Sequence, residues 1–239
     1  MRLTEQQARY FHSFGFLKFP GLFATEADLI VSAFEEIWES HGGGHHGSEH
    51  DRKRRSALLP FIDKNEFLCS LIDDPRIDGV ASSLLGDDYN YSASDGNYYV
   101  GDTHWHSDMY RETKYLSFKI AFYLDSVAMD TGCLRVIPGS HHLGDAYGDS
   151  LQPVAKAPRP EQAPALWGVH GSEVPSVPLQ SDPGDMVLFN HRTKHASFGG
   201  GSQRRMFTIN FQQRFADEDL PELRDEISGL ARFWHSKPY

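Results

Sequence analysis

The chain has 239 residues, 39% of them hydrophobic, which is enough for one well-buried domain. Its formal net charge of −10 argues against nucleic acid as the main partner, because phosphate binding needs a basic surface. The two cysteines are too few for a disulfide framework or a cysteine-rich zinc site, and neither a signal-peptide pattern nor a long apolar run is present. We therefore expect a cytoplasmic protein with no membrane partner.

The first 86 residues carry mainly helical patterns. Thr4 followed by Gln7 predicts a capping box that opens a short helix, and residues 15–20 then alternate like a strand. Apolar residues at helical spacing predict three further helices, at roughly 25–38, 65–71 and 75–85.

Residues 40–56 interrupt this helical region. Glycines at 42–44 and the charged run Asp51–Arg55 predict a flexible loop. One hypothesis is that this loop is a lid over a nearby site, and the alternative is a solvated surface excursion.

From residue 89 onward the chain consists of short strand-like segments separated by turns. Residues 153–178, rich in proline and alanine, predict an insertion between strands. Helices followed by strands indicate a mainly β fold with flanking α-helices and a β-sandwich or jelly-roll core. We expect one domain over 1–239, with N-terminal helices at roughly 4–86 and the core at roughly 89–215. The predicted strands are 97–100, 104–108, 116–124, 133–137, 186–190 and 206–211.

Two imidazoles and a carboxylate stand out among the thirteen histidines. Such a set forms the facial triad that binds non-haem Fe(II) and leaves three coordination positions open. His106 and Asp108 are two residues apart, so on a strand both would point to the same side of the sheet. His104 has the same parity and is the local rival, but the neighbouring carboxylate favours His106.

Spacing alone leaves the distal histidine open between His191 and His195. His191 stands at the end of a predicted strand, whereas His195 directly precedes Ala196-Ser197. Arg204 and Arg205 open the last predicted strand. Arginine offers a bidentate fork for the far carboxylate of a dicarboxylic cosubstrate, which lysine cannot provide.

Four stretches together resemble the phytanoyl-CoA dioxygenase family, whose members are Fe(II)- and 2-oxoglutarate-dependent oxygenases with a double-stranded β-helix, cupin-like fold. The resemblance covers nearly the whole chain, and the segment from Thr131 is its most specific part. The stretches are Leu3–Gln7 with Phe14–Phe16, His106–Asp108, Thr131–His141, and Pro183–Asp185 through His195–Ser197.

The resemblance implies a site as well as a fold. It assigns His106, Asp108 and His195 as the catalytic iron ligands, with His195 preferred to His191. It also implies that Arg204, assisted by Ser197, binds the distal carboxylate of 2-oxoglutarate, with Arg205 as the reserve.

The same resemblance implies a reaction. Its cofactors would be Fe(II), 2-oxoglutarate and O2, and succinate and CO2 would be released. In related halogenases a small residue replaces the carboxylate ligand, so the presence of Asp108 favours hydroxylation of a C–H bond in a small-molecule substrate. A cupin-like metalloenzyme without oxygenase activity and a non-catalytic ligand-binding protein are the alternatives.

Lys119 lies in an otherwise apolar predicted strand. If its face is the interior of the barrel, it suits the cosubstrate or an anionic substrate; otherwise it is an edge or solvent-facing residue. By proximity to the motifs, further pocket candidates are Asn97, Tyr99, Tyr110, Arg111 and Trp167.

Overall fold

The structure is a computed structural model that describes residues 1–41, 44–45, 48–109, 114–150, 168–201 and 204–235. For residues 44–45, 48–49 and 230–235 it describes the backbone alone. Tyr110, Arg111 and Trp167 therefore lie outside the described residues, as does part of the proposed lid at 40–56. No helix in the described ranges is both long enough and apolar enough to span a bilayer.

Four helices precede the main β region. The capping box is confirmed, because the Thr4 hydroxyl accepts from the Gln7 backbone and the Gln7 side chain accepts from the Thr4 backbone. Gly15, at φ +84°, ends the first helix in a conformation that glycine adopts without strain. The helices are α1 (Glu5–Phe14), α2 (Ala27–Ser40), α3 (Glu66–Ser70) and α4 (Pro75–Leu85), followed later by α5 (Ala146–Ser150) and α6 (Leu220–His235).

Twelve strands lie in the described residues, and all their pairings are antiparallel. They form a six-stranded sheet in the order β1-β10-β7-β12-β5-β4, a four-stranded sheet in the order β6-β11-β8-β9, and the hairpin β2-β3. Their bounds are β1 Phe16–Phe19, β2 Gly44–His45, β3 Ser48–Glu49, β4 Ser56–Leu58, β5 Tyr89–Tyr99, β6 Thr103–His106, β7 Ser117–Tyr123, β8 Leu134–Val136, β9 Val177–Leu179, β10 Met186–Asn190, β11 His195–Ser197 and β12 Arg204–Gln213.

The large sheet separates a dry core from a polar interior. Phe118, Ile120 and Phe122 on β7 and Phe207 and Ile209 on β12 belong to the main apolar cluster, which also contains the buried faces of α1, α2 and α4. Because side chains alternate along a strand, the intervening residues of β7 and β12 point to the opposite face. Helices α1, α2 and α4 therefore cover one face of the sheet and leave the other to line a site.

The structure adds elements that the sequence pattern did not predict. The three-residue strands β4 and β11 and the long C-terminal helix α6 were not expected. The predicted insertion at 153–178 also ends too late, because Val177 already begins β9, which pairs with β8. Part of that insertion, residues 151–167, lies outside the described ranges.

Candidate metal centre and its cavity

A cavity of about 820 Å³ opens between the two sheets. Strand β12 contributes a row of alternate residues to its wall, running from Arg204 at one end to Gln212 at the other. The cavity is within the size range of small-molecule sites, which are commonly about 300–1,000 Å³. Its polar lining includes Arg55, Asp95, Thr103, His106, Asp108, Lys119, His191, His195, Ser197, Arg204, Thr208, Asn210, Gln212 and Glu226.

His106, Asp108 and His195 meet at this cavity. One potential ligand atom from each lies within 4.8 Å of the others. Asp108 Oδ1 is 3.8 Å from His106 Nε2 and 3.7 Å from His195 Nε2. Strand pairing supplies the convergence, because His195 on β11 lies directly opposite His106 on β6.

In His106 and His195, a hydrogen bond to a backbone carbonyl determines which ring nitrogen carries the proton. The other nitrogen faces the Asp108 carboxylate with its lone pair. His106 Nδ1 is 2.7 Å from the carbonyl of His104, and His195 Nδ1 is 2.8 Å from the carbonyl of Thr193. A carbonyl can only accept a hydrogen bond, so each Nδ1 carries the proton. Each Nε2 therefore keeps its lone pair for a metal, which is the arrangement that orients histidine ligands in metalloproteins.

Asp108 reaches the site by a different route from the one the strand parity predicted. Strand β6 ends at His106, and Asp108 lies in the following turn. The backbone N–H groups of Asp108 and Met109 both donate to the carbonyl of His191, at 2.9 and 3.0 Å. A turn held by these two hydrogen bonds, rather than a shared strand face, brings the carboxylate to the histidines.

A register shift excludes His104 from the cavity. His195 pairs with His106, but Ser197 pairs with Thr103. The two pairs are therefore three residues apart on β6 and only two residues apart on β11. Such a bulge reverses the side-chain alternation. Thr103 and His106 consequently both line the cavity, whereas His104 is exposed.

His191 lines the cavity without joining the three potential ligands. Its Nδ1 is 2.9 Å from Ser117 Oγ and its Nε2 is 2.9 Å from Asn210 Oδ1. Burial lowers the pKa of His191 to about 4, so the ring is neutral at physiological pH. Both ring nitrogens are occupied by protein partners, and the backbone of His191 holds the Asp108 turn.

Electrostatics keep the three groups in the protonation states that a metal requires. Burial lowers the pKa of His106, and burial with the neighbouring His106 ring lowers that of His195 to about 3. Burial raises the pKa of Asp108, but Lys119 and the two histidines outweigh it, so the pKa lies well below its ordinary value. Neutral imidazoles and an ionised carboxylate are the metal-binding forms of these side chains.

Lys119 points into the cavity rather than to solvent. It lies on the inner face of β7, and its Nζ is 2.9 Å from Asp108 Oδ2. Burial lowers the pKa of Lys119, but the carboxylates of Asp108 and Asp95 raise it by more than that. The pKa therefore lies above its ordinary value, and the side chain remains an ammonium. The solvent-facing alternative for this lysine is therefore wrong.

The two adjacent arginines have opposite surroundings. Arg204 lines the cavity and is 3% exposed; its Nη1 donates to the carbonyl of Gly132, and among the described residues it forms no ion pair. Arg205 points away and pairs with Asp125 at 2.6 Å and with Glu35 at 2.7 Å. The structure thus places Arg204, and not Arg205, at the candidate site.

Two buried polar atoms at the Arg204 end have no hydrogen-bond partner among the described residues. They are Arg204 Nε and Ser197 Oγ. A guanidinium and a hydroxyl can both donate to a carboxylate. This end of the cavity therefore fits a small carboxylic acid, as the two nitrogen donors and one oxygen donor fit a divalent transition metal.

Residues 11–207 match the phytanoyl-CoA dioxygenase (PhyH) family. The chain belongs to this family. A curated relative, "Dioxygenase lolE1" of Epichloe uncinata, is 28% identical over 120 residues, which are 50% of this chain and 41% of that protein. The alignment thus spans less than half of the relative's length.

Solved structures of similar proteins confirm the fold class of a jelly-roll core with flanking helices. At such low sequence identity these likenesses concern the fold alone. One is the non-haem alpha-ketoglutarate-dependent carbocyclase SnoK from nogalamycin biosynthesis, with 21% identity and a TM-score of 0.66 over 93% of this chain and 90% of that chain. Another is apo EctD from S. alaskensis, with 20% identity and a TM-score of 0.65 over 88% of this chain and 77% of that chain. A third is the epimerase SnoN from nogalamycin biosynthesis, with 17% identity and a TM-score of 0.65 over 87% of this chain and 82% of that chain.

Two of the other pocket candidates, Tyr99 and Asn97, lie among the described residues of this PhyH-family fold, and only one of them lines the cavity. Tyr99 lines the cavity, whereas Asn97 is buried beside it and accepts from Arg55 at 3.0 and 2.6 Å. In the charged run Asp51–Arg55, the side chains of residues 51–54 are exposed, but Arg55 lines the cavity.

Several residues that line the cavity were not predicted from the sequence. Thr208, Asn210 and Gln212 continue the alternation that Arg204 begins, so the period-2 pattern of β12 was a usable signal. Asp95 accepts a hydrogen bond from Thr208 across the β5–β12 pair. Glu226 on α6 gave no such signal, because only the tertiary fold brings that helix to the cavity.

Proposed function

We propose that this chain is a non-haem Fe(II)- and 2-oxoglutarate-dependent dioxygenase that hydroxylates a C–H bond of a small molecule. Residues 1–239 would act as one catalytic domain. The observation that carries the proposal is the convergence of two Nε2 lone pairs and one carboxylate on a cavity that also holds an arginine without an ion-pair partner among the described residues.

The proposed ligands are His106, Asp108 and His195. When bound, Fe(II) with 2-oxoglutarate and O2 would supply the oxidising power for C–H hydroxylation, with succinate and CO2 as coproducts. The carbonyls of His104 and Thr193 hold both imidazoles in the required tautomer. The Asp108 turn, held by the carbonyl of His191, keeps the carboxylate beside them.

Arg204 and Ser197 would bind the distal carboxylate of 2-oxoglutarate. Their unpartnered buried donors, Nε and Oγ, support this role, since leaving buried donors unsatisfied costs about 1–3 kcal/mol each. A carboxylate between them would satisfy both groups and neutralise the guanidinium.

Lys119 would act as a second cation at the metal end. Its ammonium pairs with Asp108 Oδ2 and helps to keep this carboxylate ionised. We propose that it also faces the oxygen atoms of the cosubstrate. A fixed ammonium there adds attraction for a dianion, and this attraction is stronger inside a cavity than in bulk water.

Apolar side chains around the proposed cosubstrate region would exclude bulk water. Tyr123, Leu134, Phe189 and Met206 line the cavity and are almost fully buried in the second apolar cluster. Excluding water protects a reactive oxidising site from side reactions and strengthens the electrostatic contacts within it.

Hydroxylation is the outcome we favour within this fold. Asp108 supplies the third protein ligand, and the family resemblance associates an intact carboxylate with hydroxylases rather than halogenases. Similar solved structures include a carbocyclase and an epimerase, so hydroxylation is one of several reactions found on this fold.

An anaerobic titration tests the proposed function without a known substrate. Purified protein is loaded with Fe(II), and 2-oxoglutarate is added while the weak visible charge-transfer band of the chelate is recorded. We expect saturable growth of this band, and slow Fe(II)-dependent formation of succinate once air is admitted. Iron binding with neither the band nor succinate would contradict the proposal.

A further inference from the structure

Three neighbouring strands place two arginines on either side of one tyrosine. Arg204 on β12 pairs in register with Tyr99 on β5. On the other side of β5, Ser56 of β4 pairs with Tyr98, so Arg55, the residue before Ser56, reaches the level of Tyr99. All three side chains line the cavity, and they form a cross-strand row on its wall.

Both guanidinium groups contact the tyrosine ring. The Cζ atom of Arg55 is 4.3 Å from the centroid of Tyr99, and that of Arg204 is 4.9 Å from it. The Tyr99 ring therefore brings the two guanidinium groups near each other. Both cations line the same wall of the cavity, and a ligand carboxylate within reach of both would be attracted by each of them.

A buried amide positions Arg55 in this row. Both Nε and Nη2 of Arg55 donate to Asn97 Oδ1, and the Asn97 side-chain nitrogen donates to Asp95 Oδ2 at 2.5 Å. Asn97 is fully buried, so the guanidinium is attached to a rigid point of β5. The side chain of the neighbouring Arg54 instead pairs with Asp51 at 3.6 Å and is 60% exposed.

We propose that Arg55 is a second guanidinium for the distal carboxylate of 2-oxoglutarate, acting together with Arg204. This assignment rests on the proposed function and adds to it, because two guanidinium groups favour a dicarboxylic over a monocarboxylic 2-oxo acid. Asn97 is the positioning residue that aims Arg55.

Ligand selectivity measured by anaerobic calorimetry tests the assignment. The Fe(II)-loaded protein is titrated with 2-oxoglutarate and, separately, with 2-oxobutyrate, which lacks the distal carboxylate. Wild type, Arg55→Gln and the exposed-neighbour control Arg54→Gln are compared. A lost charge-assisted contact should raise the Kd of Arg55→Gln for 2-oxoglutarate about tenfold or more. Its Kd for 2-oxobutyrate should stay within about twofold of wild type, and Arg54→Gln should match wild type for both acids.

The ratio of the two Kd values separates a specific effect from a folding defect, because a disturbed site weakens both ligands. If Arg55→Gln does not fold, Arg55→Met, which keeps much of the apolar stem, provides the same ratio. A variant at position 55 with the wild-type ratio would overturn the assignment while leaving the proposed function intact. Failure of the wild type itself to bind 2-oxoglutarate would instead overturn the proposed function.

Discussion

At the scale of single residues, hydrogen bonding distinguishes the two candidate ligand histidines from the nearest alternative. His106 and His195 each give Nδ1–H to a carbonyl two residues earlier in the chain and direct Nε2 at Asp108. His191 is buried like His195, but Ser117 and Asn210 occupy both of its nitrogens. The same residue type thus has different chemistry because of its neighbours.

Alanine variants of the proposed ligands test this distinction. Replacing His106, Asp108 or His195 removes one of three protein ligands and should weaken Fe(II) binding more than about 100-fold, since losing even an outer partner of a ligand costs about 10–100-fold. Iron retained after gel filtration measures the effect.

His191→Ala is the matched control for these variants. It should lose roughly 1–3 kcal/mol of stability, because it leaves the buried side chains of Ser117 and Asn210 without their partner. It should nevertheless retain iron. Loss of iron in this variant, with iron retained in His195→Ala, would show that the distal ligand is misassigned.

The adjacent arginines provide a second matched pair. Arg204→Ala should raise the Kd for 2-oxoglutarate about 10- to 100-fold, because it removes a buried guanidinium from the proposed carboxylate site. Arg205→Ala should leave that Kd unchanged and reduce stability by about 1 kcal/mol, since its ion pairs with Asp125 and Glu35 are partly exposed. Unchanged 2-oxoglutarate binding in Arg204→Ala would favour a metalloenzyme that uses no dicarboxylic cosubstrate.

At the scale of elements, Asp185 connects the turn before β10 to the segment after β1. Its carboxylate accepts from Lys18 at 2.7 Å and from the backbone of Gly21 and Asp182. Burial raises the pKa of Asp185, but these donors outweigh it, so the pKa lies below its ordinary value of 3.8. Such a group stabilises the fold above its unfolded pKa, and this contribution is lost as pH falls through the lower folded pKa.

Asp185→Asn should therefore destabilise the protein by roughly 1–3 kcal/mol at neutral pH. The difference from wild type should shrink as pH falls below 3.8, where wild type loses the same ionised group. Urea unfolding across a pH series measures both quantities. Asp182→Asn, at an exposed carboxylate in the same turn, is the control, and an equal loss of stability in that variant would contradict the role given to Asp185.

Two glycines with equally open surroundings should respond oppositely to alanine. A Cβ at Gly229, inside α6, or at Gly86, after α4, would meet no atom of the described part of the chain within 4 Å. Gly86 has φ +94°, whereas Gly229 lies in a helix. Gly229→Ala should stabilise the protein by about 0.5–1 kcal/mol, and Gly86→Ala should destabilise it by about 1 kcal/mol. Urea midpoints test this, and a destabilised Gly229→Ala would show that α6 needs the glycine.

Some elements follow from local sequence patterns, whereas others depend on contacts between distant parts of the chain. The Thr4 capping box, α4 and β10 were predictable, because each depends on local residues or on a regular period. The three residues of β11 are too few to show a period, although they carry His195. The bulge that excludes His104 and the position of Arg55 beside Tyr99 arise from pairing between distant strands, which no local pattern contains.

At the scale of the whole molecule, the large sheet gives its two faces different tasks. Its outer face packs against helices in an apolar cluster, and its inner face contributes Asp95, Lys119 and Arg204 to the cavity. Asp108 and Lys119 form an ion pair there, and burying such charges is costly unless they are paired. The fold therefore supports a polar interior that ligands can stabilise further.

Ligand binding should accordingly raise the stability of the whole chain. A ligand that binds only the folded state stabilises it by about 2.7 kcal/mol at a free concentration 100 times its Kd. For a domain of this size, about 1 kcal/mol corresponds to a shift of roughly 2–4 °C in Tm. Anaerobic Fe(II) at that concentration should thus raise Tm by about 5–10 °C, 2-oxoglutarate should add a further increase, and a chelator should reverse both. The same titration of His106→Ala should give a shift of at most about 2 °C at that Fe(II) concentration, because a Kd more than about 100-fold weaker leaves the site no more than half filled. A wild-type Tm that is insensitive to Fe(II), or an equal shift in His106→Ala, would place metal binding elsewhere in the molecule.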